Sequence, residues 1–443
     1  MAPAFDLVLK NGTVVTPSGM AVADVGIRAG RISAIGDLGS AAAAQVLPCT
    51  GLHVLPGVVD TQVHFREPGM EHKEDLATGT AAAALGGVTA VFEMPNTKPP
   101  TTSAEALADK CRRADRRAWV DYAFYVGATP DNVAELSQLE RLPACAGIKM
   151  FMGSSTGSLL VADDAAVAAV LANGSRRIAV HAEDEARLKE RHAIVAGGAD
   201  VGLHPEWRDV ETALRATRRL LQMASAVRRR VHVLHVTTAE ELEPLQAHRD
   251  IATVEVTPQH LTLAAPDCYA ELDGFAQMNP PIREARHRDA LWAAVRDGLV
   301  DCIGSDHAPH TREEKKQPYP ASPSGMPGVQ TLVPVMLDHV SRGRLTLQRF
   351  VDLTSEGPAR IFGLVGRGRI ALGYGADFTI VDLAAKRMIT HRWIASRCGW
   401  TPFDGMTCTG WPVATVIGGR IVMYDGQLQG DPTGRPLSFQ ESL

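Results

Sequence analysis

Polar residues alternate along DTQVHFREPG (60–69), a segment that follows the apolar run HVLPGVV (53–59). Alternate side chains of a β-strand point to the same side, so four of these polar side chains would share one face. They belong to Asp60, Gln62, His64 and Arg66. Carboxylate, imidazole and guanidinium groups serve metal binding, proton transfer and anion binding. The amide of Gln62 is a weaker ligand, in the position where a second histidine would complete a metal site.

Similar residues recur at the ends of later apolar segments. Asn96 follows VTAVFEM (88–94), Lys149 lies in CAGIKMFM (145–152), His181 in RIAVHAE (177–183), His235 in VHVLHVT (231–237), and Asp306 closes VDCIGSD (300–306). A single histidine at a strand end is more often a packed or capping residue. Three histidines, an aspartate and a lysine at equivalent strand ends instead favour one shared site. Imidazole and carboxylate ligands suit Zn²⁺ or a similar divalent ion.

Lys149 is the unusual member of this set, because an ammonium group has no lone pair and repels a metal ion. A lysine can serve as a ligand if its neutral amine reacts with CO₂ to give a carbamate, which offers two oxygens. Burial beside Ile148 and Phe151 would lower the pKa of Lys149 and make the neutral amine available. Taken alone, the residue is better explained as a strand lysine paired with a carboxylate, but beside the histidines the carbamate ligand is favoured.

The elements that carry these residues alternate along the middle of the chain. Eight apolar strand candidates are separated mostly by Ala/Leu/Arg/Glu-rich stretches with helical spacing. The strand candidates are the one ending in DTQVH, then 88–94, 118–126, 145–152, 177–183, 231–237, 252–257 and 300–306. This order predicts a (β/α)₈ barrel, in which chemistry collects at the carboxyl ends of the strands. An open doubly wound sheet is the alternative, but no GxGxxG or GxxxxGK[ST] follows any strand.

Both ends of the chain read as short strands with turns, and this pattern predicts one β domain assembled from both termini.

The 443 residues are 45% hydrophobic and 21% charged with a net charge of −5, which is typical of a soluble globular enzyme. Neither nucleic acid nor a membrane surface is indicated as a partner. Seven cysteines without a CxxC pair indicate neither a disulfide framework nor a zinc–cysteine site, so a reducing cytoplasm is expected. The first residues do not resemble a signal peptide, and no segment reads as a membrane span.

Seven segments together resemble the cyclic amidohydrolases, and most closely the dihydroorotase branch of the amidohydrolase superfamily. They are DTQVHFREPG, GGVTAVFEMPNTKP, GIKMFMGSSTG, HAEDE, VLHVTT, MNPPIR and SDHAPH, within a similarity that runs from about residue 5 to 425. HFREPG, MPNT, NPPIR and DHAPH favour dihydroorotase over hydantoinase or allantoinase. The resemblance implies a metal-bearing (β/α)₈ TIM barrel at 55–367, with a small β-sandwich built from 1–54 and 368–443.

The resemblance also implies roles for individual residues. The implied metal ligands are His64, Lys149 as a carbamate, His181, His235 and Asp306, with Asp306 also the catalytic acid–base. The implied substrate contacts are Arg66, Asn96, Asn279 and His310, in which an Arg and an Asn hold a substrate carboxylate. The resemblance further implies one or two divalent ions, with zinc as the expected metal, and a homodimer or homotetramer. The segment 310–330, HTREEKKQPYPASPSGMPGVQ, matches a loop that we expect to be a mobile cover.

Two departures from the family pattern limit these implications. Gln62 stands where the first histidine of Asp-x-His-x-His belongs, and Gln259 stands in TPQHL (257–261) where two successive histidines are common. Three functions stay open: a dihydroorotase with one firmly and one weakly bound metal, another cyclic amidohydrolase of the hydantoinase, dihydropyrimidinase or allantoinase type, or a catalytically weak structural partner of a carbamoyltransferase. A dihydroorotase would take a small cyclic amide that carries a carboxylate.

Overall fold

The computed structural model describes residues 3–16, 18–155 and 159–440 of the chain. Residues 156 and 157, which end the GIKMFMGSSTG segment, lie outside the described residues. The strands are β1 (Phe5–Thr16), β2 (Gly19–Arg28), β3 (Arg31–Gly36), β4 (Ala43–Pro48), β5 (His53–Pro56), β6 (Val58–Val63), β7 (Val88–Glu93), β8 (Asp121–Gly127), β9 (Cys145–Phe151), β10 (Ile178–His181), β11 (Val231–Val233), β12 (Ala252–Val256), β13 (Cys302–Ile303), β14 (Phe378–Met388), β15 (Thr407–Ile417), β16 (Arg420–Tyr424) and β17 (Gln427–Leu428).

The α-helices lie mainly between the strands of the middle region. They are α1 (Leu76–Leu85), α2 (Ala104–Ala114), α3 (Leu136–Leu139), α4 (Asp164–Ala172), α5 (Glu185–Arg191), α6 (His204–Trp207), α7 (Val210–Ala226), α8 (Leu242–Ala247), α9 (Pro258–Thr262), α10 (Asp267–Leu272), α11 (Ala285–Arg296), α12 (Arg312–Lys315), α13 (Leu332–Ser341), α14 (Leu347–Val351) and α15 (Gly357–Phe362). No helix in the described part of the chain is long and apolar enough to cross a membrane.

Strands β6 to β13 form one parallel sheet in sequence order. The first and last strands meet through a parallel bridge between Val63 and His307, and the His64 N–H donates to the His307 carbonyl at 2.7 Å. Every residue of β6, β7, β8 and β9 is buried, because one face fills the barrel interior and the other packs under the helices. The eight strands and the (β/α)₈ barrel predicted from the sequence are confirmed, and the open-sheet alternative is wrong.

The outer helices place their apolar faces against this sheet. In α7 the side chain of Asp209 accepts a hydrogen bond from the Thr212 N–H at the helix start, which satisfies an otherwise unpaired backbone donor. The same helix buries Ala213, Ala216, Leu220 and Ala224 at the three- and four-residue spacing of an amphipathic helix. Burial of these apolar stripes holds the helices against the sheet and so fixes the positions of the strands. The strands in turn fix the positions of the residues at their carboxyl ends.

The remaining strands form a nine-stranded mixed sheet from both ends of the chain, as predicted. Strand β14 pairs antiparallel with β5, so that Thr379 lies opposite Leu55 and the two termini share one sheet. This sheet has a separate apolar core that includes Leu7, Val25 and Phe378. Thr379 also joins the sheet to the barrel, because its hydroxyl accepts from the Val58 N–H at 3.1 Å and donates to the Gly87 carbonyl at 2.6 Å.

The final described segment, residues 431–440, runs beside the amino-terminal ends of barrel strands. The Leu437 N–H donates to the Tyr122 carbonyl at 2.8 Å, and Tyr122 and Pro436 form a parallel bridge. The Phe439 ring packs edge-on against Phe92 with ring centroids 5.7 Å apart. This tail therefore closes the barrel at the end opposite to the strand ends that carry the polar residues.

Candidate active site

Three of the predicted site residues lie where the backbone leaves the regular strand conformation. Arg66, His235 and Asp306 have φ values of 63°, 37° and 44°, in the left-handed region that L-residues other than glycine rarely adopt. Such strained positions persist only where the surrounding structure holds them, and they concentrate at functional sites. The irregular backbone ends the strands early and turns these side chains toward the barrel mouth.

Eight of the nine predicted site residues line one narrow cavity at the carboxyl ends of the strands. The eight are His64, Arg66, Asn96, Lys149, His181, His235, Asn279 and Asp306, and Gln62 lies in the same wall. The ninth residue, His310, is buried behind this wall rather than in it. The strand order alone thus brings residues that are up to 242 positions apart in the sequence into one pocket.

His181 and His235 form the first pair in the cavity, with His181 Nδ1 3.0 Å from His235 Nε2. The other ring nitrogen of His181 donates to Glu183 Oε2 at 2.8 Å, so Nδ1 keeps its lone pair facing His235. Arg208 Nε holds the Glu183 carboxylate at 3.1 Å to both oxygens, and this pairing together with His181 lowers the pKa of Glu183 against the effect of burial. Such an arrangement is typical of a metal-binding histidine that is oriented by a carboxylate.

His64 and Asp306 form a second pair beside the first. His64 Nδ1 donates to Asn96 Oδ1 at 2.8 Å, which leaves Nε2 with its lone pair 3.3 Å from Asp306 Oδ1. Gln62 Nε2 donates to the same Asp306 oxygen at 3.0 Å, while Gln62 Oε1 is buried without a hydrogen-bond partner. The amide therefore occupies one carboxylate oxygen of Asp306 and leaves its own acceptor unpaired.

Lys149 lies between these pairs with its amine buried and without a hydrogen-bond partner. Nζ sits over the Phe151 ring, 4.4 Å from the centroid. Burial lowers the pKa of Lys149 to about 7, and Asp306 acts weakly in the opposite direction. Burial likewise raises the pKa of Asp306 to about 8. An unpaired amine of low pKa, two imidazoles with fixed lone pairs and a carboxylate together fit a divalent cation bound with a lysine carbamate.

Arg66 provides the positive charge in the cavity wall. The side chain is buried, and its Nε donates to the Pro309 carbonyl at 3.1 Å. Burial lowers the pKa of Arg66 to about 10, so the guanidinium stays charged at neutral pH. His310 Nε2 lies 3.2 Å from Arg66 Nη2, and Lys73 Nζ lies 3.0 Å from His310 Nδ1. His310 therefore contacts Arg66 from behind, where it can orient the guanidinium.

Comparison with known proteins gives the same assignment along nearly the whole chain. Residues 53–422 match the Amidohydrolase family. The chain belongs to this family. It is 34% identical over 442 residues to the dihydroorotase of Methanosarcina acetivorans, with 96% of this chain and 94% of the relative covered. It is 37% identical over 436 residues to the dihydroorotase of Halalkalibacterium halodurans, with 95% and 99% covered. The solved L-hydantoinase (dihydropyrimidinase) from Arthrobacter aurescens superposes with a TM-score of 0.93 at 30% identity, covering 98% of this chain and 100% of that chain.

The segment 310–330 over this amidohydrolase site contains buried residues, so the expectation that it is not a packed element is wrong. Lys315 is buried, and its Nζ donates to the carbonyls of Gln277, Pro323 and Gly325 at 3.1, 2.8 and 3.0 Å. Tyr319 Oη lies 3.1 Å from His204 Nδ1, which joins the segment to α6. Two of these contacts join Lys315 to Pro323 and Gly325 within the segment, and the third joins the segment to the loop at Gln277.

Sequence reasoning missed several residues that shape the site. Glu183 follows His181 by two positions and so shares its strand face, a signal that the HAEDE segment already carried. His204 Nε2 lies 3.0 Å from Asn279 Oδ1 but is far from it in sequence, and no local pattern marks it. Gln259, the second departure from the family pattern, is buried, and its Nε2 donates to the Ser305 carbonyl at 2.8 Å. It therefore supports the backbone next to Asp306 rather than the cavity itself.

Proposed function

We propose that the protein is a metal-dependent cyclic amidohydrolase that interconverts dihydroorotate and N-carbamoyl-aspartate. The observation that carries this proposal is the buried, charged Arg66 in the wall of a cavity that also holds His64, His181 and Asp306. A guanidinium in a dry pocket requires an anionic partner, and a substrate carboxylate supplies it. Full-length relatives named dihydroorotase at 34% and 37% identity support the same substrate.

The proposed ligands of the divalent metal are His64, His181, His235, Asp306 and a carbamate on Lys149. When bound, the ion, which we take to be zinc, activates water and polarises the amide carbonyl. Lys149 suits its part because its pKa of about 7 leaves a large fraction of neutral amine at neutral pH. His181 suits its part because Glu183 holds its proton on the nitrogen that faces away from His235.

The protein's own groups then bind the ring and move one proton. Arg66, Asn96 and Asn279 hold the substrate carboxylate and so orient the ring amide toward Asp306. Asp306 takes a proton from the attacking water as the C–O bond forms and delivers it to the ring nitrogen as the C–N bond breaks. The reverse sequence closes the ring.

From the presence of Gln62 we infer that the site holds one metal ion firmly and a second one weakly. An amide oxygen is neutral and weakly basic, and the Gln62 amide nitrogen donates to Asp306 where a ligand nitrogen would instead face the metal. The His181–His235 pair does not involve Gln62. The ion held by that pair is therefore expected to bind more tightly than the ion beside His64.

A hydantoinase-type activity is the second candidate, and the superposition on the L-hydantoinase structure favours it. Hydantoins and dihydropyrimidines are uncharged rings with a substituent, so they would offer Arg66 no carboxylate to bind. The third possibility, a weak homologue that serves as a structural partner of a carbamoyltransferase, would have no need of a complete charged cavity.

We also propose a role in pyrimidine biosynthesis, a cytoplasmic location and a homodimer or homotetramer.

The deciding experiment compares two substrates on the purified full-length chain with its metal content known. We expect ring opening of dihydroorotate, measured as carbamoyl-aspartate, and little turnover of a 5-substituted hydantoin. Asp306→Asn serves as the inactive control, because it keeps the shape of the side chain and removes the acid–base. Turnover of the hydantoin alone would support the second candidate. Bound metal without turnover of either ring, together with capture of a carbamoyltransferase, would support the third.

A further inference from the structure

A second group of chemically active side chains lies inside the barrel, and the proposed reaction does not use it. It consists of His232 on β11, Glu255 on β12 and Cys302 on β13, with Thr61 of β6 beside them. His232, Glu255 and Cys302 are each 0% exposed. They belong to the same strands that carry His235 and Asp306 further along, so the group sits beneath the cavity floor.

The distances within this group match those between the ligands of a tetrahedral zinc ion. His232 Nε2 lies 3.4 Å from Glu255 Oε2, and Cys302 Sγ lies 3.6 Å from each of these two atoms. For zinc bonds of about 2.3 Å to sulfur and about 2.0 Å to nitrogen or oxygen, tetrahedral ligands are about 3.5 Å apart when one is sulfur and about 3.3 Å apart for nitrogen and oxygen. All three observed separations lie close to these values.

The hydrogen bonds around His232 prepare it to bind a metal. Its Nδ1 lies 2.8 Å from Thr253 Oγ1, and that hydroxyl donates to the Val231 carbonyl at 3.4 Å. In the tautomer with the proton on Nδ1, which Thr253 Oγ1 can accept, Nε2 presents its lone pair to Glu255 and Cys302. This is the form of imidazole that binds divalent ions, held by a hydrogen bond at the other nitrogen.

Glu255 is incompletely satisfied without a cation. Thr61 Oγ1 donates to Glu255 Oε2 at 2.6 Å, but Glu255 Oε1 is buried without a hydrogen-bond partner. The lone pair of His232 Nε2 and the carboxylate oxygen face each other at 3.4 Å, an arrangement that a shared positive charge stabilises. A closed network, in which the Cys302 thiol and the Thr61 hydroxyl act as donors, is the competing account. The network leaves Glu255 Oε1 unpaired, and so would an ion bound through Oε2 alone, whereas an ion bound through both carboxylate oxygens would use it.

We propose that His232, Glu255 and Cys302 provide three ligands of a Zn²⁺ ion that is separate from the catalytic metal. Imidazole, carboxylate and thiolate are the ligands that this borderline-soft ion prefers. On binding, the thiol proton is released to solvent, and no oxidation or reduction takes place. The ion would join three consecutive barrel strands, of which β13 has only two residues in regular strand pairing. It would also balance the Glu255 charge beneath the catalytic residues.

Cobalt substitution tests this proposal because the two sites differ in sulfur content. The cavity residues proposed as catalytic ligands offer only nitrogen and oxygen, whereas Cys302 offers sulfur. We expect the Co²⁺-loaded full-length chain to show a thiolate-to-cobalt charge-transfer absorption band that Cys302→Ser abolishes. Cys145→Ser is the matched control, since Cys145 is also a fully buried cysteine on a barrel strand, and it should keep the band.

The zinc content gives an independent measurement. Cys302→Ser and His232→Gln should each lose about one zinc per chain, and Cys145→Ser should lose none. A cobalt-loaded wild-type chain without the charge-transfer band, or an unchanged zinc content in Cys302→Ser, would overturn the proposal. If these variants fail to fold, X-ray absorption at the zinc edge of the wild-type chain tests the proposal instead. A zinc coordination shell without sulfur would exclude Cys302 as a ligand. Dihydroorotate turnover does not enter this test, so the two proposals can fail separately.

Discussion

Glu183 controls which nitrogen of His181 faces the cavity. The Glu183 carboxylate accepts the Nε2 proton at 2.8 Å and is itself held by Arg208, so the Nδ1 lone pair stays directed at His235. Loss of a carboxylate that orients a metal-binding histidine lowers metal affinity by about 10- to 100-fold. We therefore expect Glu183→Gln to weaken metal binding by about that factor, measured by competition with a chelator. Glu190→Gln, an exposed change on α5, is the control, and an equal loss in both variants would contradict the role of Glu183.

Gln62 is the residue that we expect to limit the number of ions in the cavity. Replacing its amide by an imidazole restores a basic ligand atom and removes the N–H that now occupies Asp306 Oδ1. We expect Gln62→His to raise the metal content toward two ions per chain, measured by elemental analysis. Gln259→His is the matched control: it is also a buried glutamine, but it bonds to the Ser305 carbonyl and lies outside the cavity wall. A metal content unchanged by Gln62→His would show that the amide is not the limiting ligand.

Arg66 is expected to select for a substrate carboxylate. A charge-assisted hydrogen bond contributes about 1.5–3 kcal/mol, which corresponds to a factor of about 10 to 150 in binding. We expect Arg66→Gln to raise KM for dihydroorotate by about that factor and to leave the low turnover of an uncharged hydantoin unaffected. Arg215→Lys, at an exposed position on α7, serves as the control. A similar loss for both rings would indicate that Arg66 maintains the cavity rather than recognises the carboxylate.

At the scale of the elements, regular segments were predictable and irregular ones were not. The sequence predicted a strand over 300–306, yet only Cys302–Ile303 pairs as a strand, because Asp306 adopts φ 44°. The predicted strand 231–237 ends at Val233 for the same reason, with His235 at φ 37°. Alternation of apolar residues predicts that a segment is a strand and which of its faces is buried. It does not predict where the strand is forced out of its extended conformation.

The same irregularity hid the group inside the barrel. Strict alternation places His232 and His235 on opposite faces of a strand, since they are three residues apart. In the structure both side chains point inward, because the backbone turns between them. His232 then meets Glu255 and Cys302, which are 23 and 70 positions away in the sequence. Contacts of that range depend on strand register, which no local pattern specifies.

Lys315 gives the cover segment a pH-dependent stability. Burial lowers the pKa of Lys315 from 10.5 to about 7, so between these values the unfolded chain binds a proton that the folded chain does not. Stability rises with pH where the unfolded state binds more protons, by at most about 1.4 kcal/mol per pH unit for one group. We expect the Tm of the wild type, measured relative to Lys315→Met, to be higher at about pH 9 than at about pH 7. For Lys189→Met, at an exposed site, the difference in Tm from the wild type should be the same at both pH values. If the difference in Tm between the wild type and Lys315→Met were also the same at both pH values, the argument would be contradicted.

At the scale of the whole molecule, the two ends of the barrel have separate tasks. The cavity residues project from the carboxyl ends of the strands, while the terminal sheet and the segment 431–440 stabilise the chain elsewhere. Thr379 ties the terminal sheet to β6, and Leu437 lies in a cluster with Phe92 and Tyr125 of the barrel interior. Stability and catalysis should therefore respond to different substitutions.

Leu437 allows this separation to be tested. Its side chain is 3% exposed and packs in the barrel cluster, so Leu437→Ala should cost about 2–5 kcal/mol of stability. Because the tail meets the amino-terminal ends of the strands, we expect kcat of the folded enzyme to be unchanged while Tm falls. Ser438→Ala, at the neighbouring exposed position, should change neither quantity. If Leu437→Ala lowered kcat without lowering Tm, the tail would have to act on the cavity through the barrel interior, where His232, Glu255 and Cys302 lie.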